Sequence, residues 1–460
     1  MGGYDWPEIY RARRAALRGR LPGGAILLLG ERLVPRNYPH NTYPFRQSSH
    51  LLYFAGIPVP DIALTIDPDG GATLYAEPPS MAEVIWTGPL PTPADFAAGA
   101  GIDRVKAPAD LPADIAAFSR ANVPLHHLAP YRECHRDRLA ALLAIPPGAV
   151  AQRASRALAE AIVHLRLHKG PEEIDEIEAA LAVTAEMHRT AMAMAKPGVV
   201  ESEIAAAIQG IALRHDRQQA YGPIVSVRGE VLHNVTYGNV LREGQLLLND
   251  SAAESPRGYA SDITRTTPVG GHFTDLQRAL YDIVLRANEA VIAGIRPGVP
   301  YKTLHLMAAR SMVLGLIDLG LMQGSADEAV AAGAHACFFP HGLGHALGLD
   351  VHDMEDLGED LVGYAPGQQR SSQFGLAYLR FARSLEEGHV VTVEPGLYFI
   401  PALMDQWEAE GRHREFIRYD ALRGLRELGG IRIEDDVLVT ADGARVLGPE
   451  IPKSVEEVSG

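Results

Sequence analysis

Short apolar runs bounded by turn residues dominate the first third of the chain: GGAILLLG, LLYFAGI and DIALTIDPDGGATLYAE, the last broken by an Asp69-Gly70 turn. Brief apolar runs closed by Gly, Pro and Asp read as strands. Short alanine-rich pieces after them read as helices, so residues 1–150 are expected to form one α/β domain closed by Pro146-Pro147-Gly148. AQRASRALAEAIVHLRLHKG then predicts a linker helix over residues 151–170, stopped by Gly170. Pro171 followed by Glu172 and Glu173 starts a new helix, with proline in the first turn and acids near the positive end of the dipole. It opens a second domain over residues 171–460.

That second domain carries an internal echo. AMAMAKPGVVESEIAAAI and AVIAGIRPGVPYKTLHLM both read as helix, basic residue, Pro-Gly-Val and second helix, with Pro197 and Pro297 one hundred positions apart. Two related halves, each a helix pair followed by strands, are the expectation. Three strand-rich blocks lie between and after the echoes: YGPIVSVRGEVLHN through DITRTTPV, HGLGHALGLDVHD, and HVVTVEPGLYFI with GIRIEDDVLVT.

Composition narrows the function classes. The 460 residues are 47% hydrophobic, enough for two cores. No run of about eighteen apolar residues is present, and the opening MGGYDWPEIYRARR has no apolar secretion segment, so a cytoplasmic protein without membrane attachment is expected. The formal charge of −15 disfavours nucleic acid and anionic membranes as partners. Cys134 and Cys337 are the only cysteines and lie far apart, which suits a reducing compartment and leaves any metal to oxygen and imidazole ligands.

The chemistry is concentrated in a few acids and histidines. In NDSAAESPRGYASDITRT, a hairpin centred on Pro256 would set Asp250 against Asp262 in apolar strand surroundings. Opposed carboxylates about 5 Å apart at Cβ repel unless protonated, shared or bridged by a cation. Glu394 in VVTVEPGLY and Glu434 in GIRIEDD add two more acids in apolar contexts. HGLGHALGLDVHD supplies His341, His345 and His352; its three glycines argue against a helix, so it reads as loop or strand. One of the three as ligand and the others as polar contacts is the economical assignment, and His233 is a further candidate. Arg432 alternates onto the same strand face as Glu434 and could orient nearby acids or histidines. His126 and His127, among prolines, read as surface residues. Four carboxylates with one imidazole suit a pair of manganese, cobalt or zinc ions, which would sit between the aspartates and activate a water.

Taken in order, GYASDITRT, HGLGHALGLDVHD, VTVEPGLY and GIRIEDDVLVT resemble the pita-bread metallopeptidases: aminopeptidase P, prolidase and, more distantly, methionine aminopeptidase. NTYPFRQSSHLLYFAGI is similar to the N-terminal domain of the proline-specific members, so the resemblance runs from roughly residue 30 to 450. It implies an α/β N-terminal domain and an α+β pita-bread domain with pseudo-twofold halves around a curved antiparallel sheet. Carried over by motif, the metal ligands fall on Asp250, Asp262, His345, Glu394 and Glu434. Glu394 would double as general base, and His233, His341 and His352 would line the substrate site and stabilise the tetrahedral intermediate. The implied substrate is a peptide with proline in second position, cleaved by an Xaa-Pro aminopeptidase, or a dipeptide cleaved by a prolidase. Two divalent ions, manganese ahead of cobalt or zinc, and a homodimer or larger assembly belong to the same expectation. Residues 356–388 and 401–429 are longer than in compact members and are expected to form a rim or lid over the cleft.

Overall fold

The computed structural model describes residues 3–459, which fall into two compact units divided between Arg166 and Leu167. The first contains a mixed five-stranded sheet of β1 (Ala25–Leu29), β2 (Ala63–Ile66), β3 (Ala72–Tyr75), β4 (Arg104–Lys106) and β5 (Leu125–His126), in the order β4-β3-β2-β1-β5. Strands β1, β2 and β3 are antiparallel neighbours, while β4 and β5 add in parallel at the edges. AILLL lies inside this sheet between β2 and β5, its first four residues buried.

Three local expectations fail in this unit. LLYFAGI is no strand: Ser49–Ala55 forms a helix with all seven residues buried, ended by Gly56 at φ 64°. A short apolar run cannot distinguish a buried strand from a buried helix, and here the left-handed glycine cap decides for the helix. The helix expected over 151–170 spans only Arg156–Leu167, after a 3-10 turn at Ala151–Arg153. His127 is buried, 2% exposed, with Nδ1 against the Leu128 carbonyl, so it is not a surface residue.

In the second unit the echo becomes geometry. Helices Pro171–Met194 and Glu201–Arg214 form one pair, Asp275–Gly294 and Tyr301–Asp318 the other. Each pair is joined by the Pro-Gly-Val turn, with Gly198 at φ 90° and Gly298 at φ 87°. The hydrogen bonds repeat as well: Gly198 N–H donates to Leu241 O and Gly298 N–H to Leu385 O, while Leu241 N–H and Leu385 N–H donate back to Val199 O and Val299 O. After the first pair comes the sheet of β6 (Ile224–Ser226), β7 (Leu246–Asp250) and β8 (Thr264–Pro268), in order β6-β7-β8. After the second come β9 (Val390–Val393), β10 (Gly396–Tyr398), β11 (Gly430–Arg432), β12 (Asp435–Val439) and β13 (Ala444–Val446), paired as β13-β12-β9 and β10-β11. These sheets are open and antiparallel, as the pita-bread arrangement requires. The two halves meet where Glu434 N–H donates to Thr264 O and Arg432 N–H to Thr266 Oγ1.

HGLGHALGLDVHD is an irregular loop laid against β9, touching it through an Ala346–Val391 bridge. Its glycines permit that approach. A Cβ on Gly344 would lie 2.1 Å from the Thr392 carbonyl oxygen, whereas one on Gly298 would meet nothing within 4 Å. Gly298→Ala should therefore cost about 1 kcal/mol, from backbone strain alone. Gly344→Ala, which must push the loop off β9, should cost about 1–3 kcal/mol or more and displace His345 from Glu394. Equilibrium denaturation of the two variants checks the ranking; equal losses would contradict it.

Candidate metal centre

The β7–β8 hairpin pairs two residues away from the sequence expectation. Asp250 pairs with Thr264, which centres the hairpin on Arg257, and the Ser255–Gly258 turn carries Gly258 at φ 81°. Asp262 lies two residues before Thr264 and is therefore a diagonal neighbour of Asp250 on the same sheet face. The two acids still converge: the Tyr221 hydroxyl lies 2.5 Å from Oδ1 of each. Both are buried, at 8% and 6% exposure. One phenolic proton serves two carboxylates, and burial followed by their charge pushes Tyr221 well above the ordinary tyrosine range.

Glu394 and Glu434 each occupy a break between strands. Glu394 lies between β9 and β10, its N–H bonded to Leu343 O; Glu434 lies between β11 and β12, its Oε2 accepting the Thr264 hydroxyl at 2.6 Å. A strand alternates faces, so an interruption lets an acid inside an apolar run turn toward the cavity. His345 is clamped to β9 twice: its N–H donates to Thr392 Oγ1, and its carbonyl accepts the Thr392 N–H. Its Nδ1 faces the Ala346 carbonyl at 3.1 Å, which leaves Nε2 at 3.4 Å from Asp262 Oδ2 and 3.7 Å from Glu394 Oε1. Asp262, His345 and Glu434 offer donor atoms all within 4.8 Å of one another.

Charge in this cluster is unbalanced. Burial raises Glu394 to about 7, helped by Asp262 and Asp250 and opposed by His345 and Arg432. Burial likewise raises Asp250 despite Arg432, and lifts Glu434 well above the carboxylate range with Asp262, Glu394 and Asp250 adding to it. Burial opposes the charge of His345, yet Asp262 and Glu394 bring it up to about 9. Crowded carboxylates of this kind call for positive charge, and four of them with one imidazole make a donor set that a pair of hard or borderline divalent cations fits.

The other candidates are distributed around the same cavity, about 530 Å³ in volume, whose wall includes Asp250, Asp262, His345, Glu394 and Glu434. His233, His341, His352 and Arg432 are also in the wall. Arg432 is 4% exposed and donates to Asp250 Oδ2, Thr264 Oγ1 and the Tyr398 hydroxyl. His341 has both nitrogens engaged, Nδ1 with the Gly342 carbonyl at 2.7 Å and Nε2 with the Tyr398 hydroxyl at 2.9 Å; burial lowers it to about 3, so it is neutral. His352 packs on His345 with ring centroids 4.1 Å apart. Sequence reasoning missed Tyr221, which precedes β6 in a loop without periodicity. It also missed Tyr398, although its place at the end of EPGLY offered a signal. A further omission is Asp436, whose Oδ2 accepts the Asp262 N–H while Oδ1 stays buried without a hydrogen-bond partner. The 356–388 segment lies in the wall through Glu359, Arg370, Phe374, Tyr378 and Arg380, and 401–429 through Leu403.

Comparison with known proteins agrees with this geometry. Residues 175–441 match metallopeptidase family M24, and residues 10–125 match the aminopeptidase P N-terminal domain. The chain is 33% identical over 474 residues to the Xaa-Pro aminopeptidase of Escherichia coli, covering 98% of this chain and 96% of the relative. It is 34% identical over 463 residues to a probable Xaa-Pro aminopeptidase of Leptosphaeria maculans, covering 99% and 79%. Among solved structures, a substituted E. coli aminopeptidase P in complex with substrate aligns at TM-score 0.81 with 31% identity, covering 98% of this chain and 97% of that one. Zinc-substituted E. coli aminopeptidase P in complex with product aligns at TM-score 0.80 with 30% identity and the same coverage. With more than half its length matched by that family and a full-length relative above 30% identity, the chain belongs to metallopeptidase family M24.

Proposed function

We propose that this protein is a dinuclear metal-dependent Xaa-Pro aminopeptidase, which hydrolyses the bond between an N-terminal residue and a following proline. The observation that carries the proposal is the convergence of Asp250, Asp262, His345, Glu394 and Glu434 in one cavity, in a chain that aligns along 98% of its length with an Xaa-Pro aminopeptidase. Those five residues would hold the ions, manganese in this reading because the set is oxygen-rich. When bound, the ions supply Lewis acidity toward the scissile carbonyl and a water that is nucleophilic at neutral pH.

The chain's own residues then divide the remaining work. Glu394, in the cavity wall beside Asp262 and His345, is placed to take the proton of the attacking water and to pass it to the leaving prolyl nitrogen. His233 and His352 face the substrate from the wall and are placed to donate to the developing oxyanion. Arg432 orients Asp250 and favours its ionised form against burial, while Tyr398 links Arg432 to His341. The domain division at about residues 150–170, a cytoplasmic location and a homodimer or larger assembly are parts of the same proposal. Sedimentation of the purified protein tests the last of these.

A prolidase reading, the same chemistry restricted to dipeptides, is favoured by one observation. Arg370, Phe374, Tyr378 and Arg380 of the 356–388 segment stand in the cavity wall, where side chains of that size would limit the length of a bound peptide. Hydrolysis of Arg-Pro-Pro and of Gly-Pro by manganese-loaded protein separates the two, with the tripeptide expected to be cleaved. Asp262→Asn should lower either rate by more than about 100-fold, beyond the cost of losing only a ligand's outer partner.

Two stability measurements follow. Manganese at a hundred times its dissociation constant should stabilise the fold by about 2.7 kcal/mol, and Asp262→Asn should lose that gain in thermal melts. The metal-free protein should respond in the opposite sense to Glu434→Gln. The folded-state pKa of Glu434 is raised, so the unfolded chain loses this proton first and the wild type is penalised as pH rises above the unfolded carboxyl value near 4.3. Glu434→Gln should therefore be the more stable of the two at pH 8, with the difference vanishing toward pH 4. A difference independent of pH would contradict the crowding argument.

A further inference from the structure

His352 is held from behind by a carboxylate that neither the resemblance nor the motif analysis singled out. Its Nδ1 lies 3.2 Å from Glu355 Oε2, and the same oxygen receives Arg380 Nη1 at 2.7 Å. Arg380 and His352 are both in the cavity wall, whereas Glu355 touches each of them without lining the cavity. It is half-buried, with 20% of its side chain exposed. Arg380 Nη1 also lies 2.7 Å from Glu359 Oε1, and Glu359 Oε2 receives Arg370 Nη2 at 2.8 Å. A chain of alternating charges thus runs from the His352 ring into the 356–388 segment.

The backbone is bent to make this contact. Met354, fully buried, adopts φ 63° and ψ 17°, a left-handed conformation unusual for a side-chain-bearing residue, and a 3-10 turn at Glu355–Leu357 follows. Such an outlier costs about 1–3 kcal/mol and persists where surrounding structure over-determines it. Here it folds residue 355 back onto residue 352, three positions earlier. An ionised carboxylate only accepts hydrogen bonds, so the ring nitrogen facing it must carry the proton. Nε2 is then the His352 nitrogen available to a bound substrate.

We propose that Glu355 is a positioning residue of this active site: it accepts the Nδ1–H of His352, fixes the ring's tautomer and orientation, and joins it through Arg380 to the wall of the cavity. The inference rests on the hydrolase reading for its catalytic consequence, but not for its geometry. Carboxylate partners serve histidines in this way elsewhere, setting which nitrogen acts and holding the ring in place.

The test uses full-length, manganese-loaded protein and two variants. Glu355→Ala removes the acceptor; Glu355→Gln keeps an amide oxygen that can accept the same proton. With Arg-Pro-Pro, Glu355→Ala should lower kcat about 10- to 100-fold, the scale for a lost histidine partner, with KM changed less than about threefold. Glu355→Gln should recover most of that loss. A purely structural role would instead depress both variants together and lower their melting temperatures alike. An unchanged kcat in Glu355→Ala, or equal losses in the two variants, would overturn the proposal.

Long-range proton–nitrogen NMR of the zinc-loaded, diamagnetic protein gives a readout independent of turnover, with the His352 signals assigned by their disappearance in His352→Gln. Nδ1 of His352 should be protonated in wild type and in Glu355→Gln, and should lose that preference in Glu355→Ala. A ring protonated on Nε2 in wild type would overturn the proposal even in an active enzyme. If the wild type cleaves no Xaa-Pro peptide, the hydrolase reading fails while the tautomer measurement still decides the role of Glu355.

Discussion

Like-charge crowding is the constraint around which the C-terminal unit is organised. Asp250, Asp262, Glu394 and Glu434 are brought into one poorly solvated cavity with Arg432 and His345 as counter-charges. Burying carboxylates side by side raises the free energy of the metal-free fold. The surrounding structure therefore has to be rigid enough to hold them, and it is built from paired strands and doubly anchored loops. Thr264 and Thr392 each tie a donor-bearing segment to its neighbour, and the buried Lys169–Asp353 ion pair, with both side chains 1% exposed, fixes the turn after His352.

The same constraint explains the irregular backbone around the site. Glu394 and Glu434 occupy strand interruptions, Gly344 touches the Thr392 carbonyl, and Met354 is left-handed. Each departure aims one polar side chain at the cavity or at a residue that lines it. Local regularity is given up where chemistry is needed and kept in the flanking helices, whose buried polar residues, such as His188 and Asn288, bond the strands they cover. His341, neutral and doubly hydrogen-bonded through Tyr398 to Arg432, belongs to the supporting framework as much as to the substrate wall.

Much of this was legible in the chain. The Pro-Gly-Val echo foretold two helix pairs because proline and a positive-φ glycine must recur wherever the same turn recurs. The acids of the candidate metal centre stood out inside apolar runs, an arrangement that folding alone disfavours. The hairpin register was misjudged by two residues because a turn-prone five-residue segment does not reveal where its left-handed residue falls; Gly258, not Pro256, settles the pairing. LLYFAGI was misjudged because full burial erases the periodicity that separates helix from strand. Tyr221 and Asp436 were invisible for a different reason: each acts through a tertiary contact, 41 or 174 residues away, that no local pattern encodes, whereas Glu355 reaches His352, three residues earlier, only because Met354 adopts a left-handed backbone conformation.

The matched turns at Gly198 and Gly298 also bear on how the unit could be taken apart. Each half closes its own helix pair with the same set of backbone hydrogen bonds, yet the donors are divided: Asp250 and Asp262 come from the first half, His345, Glu394 and Glu434 from the second. The Gly270–Gly271 turn between β8 and the second helix pair is the natural seam, with both glycines at positive φ. Severed there, the polypeptide would leave the proposed cation donors split between two fragments, so that on this reading cation affinity would depend on their reassociation.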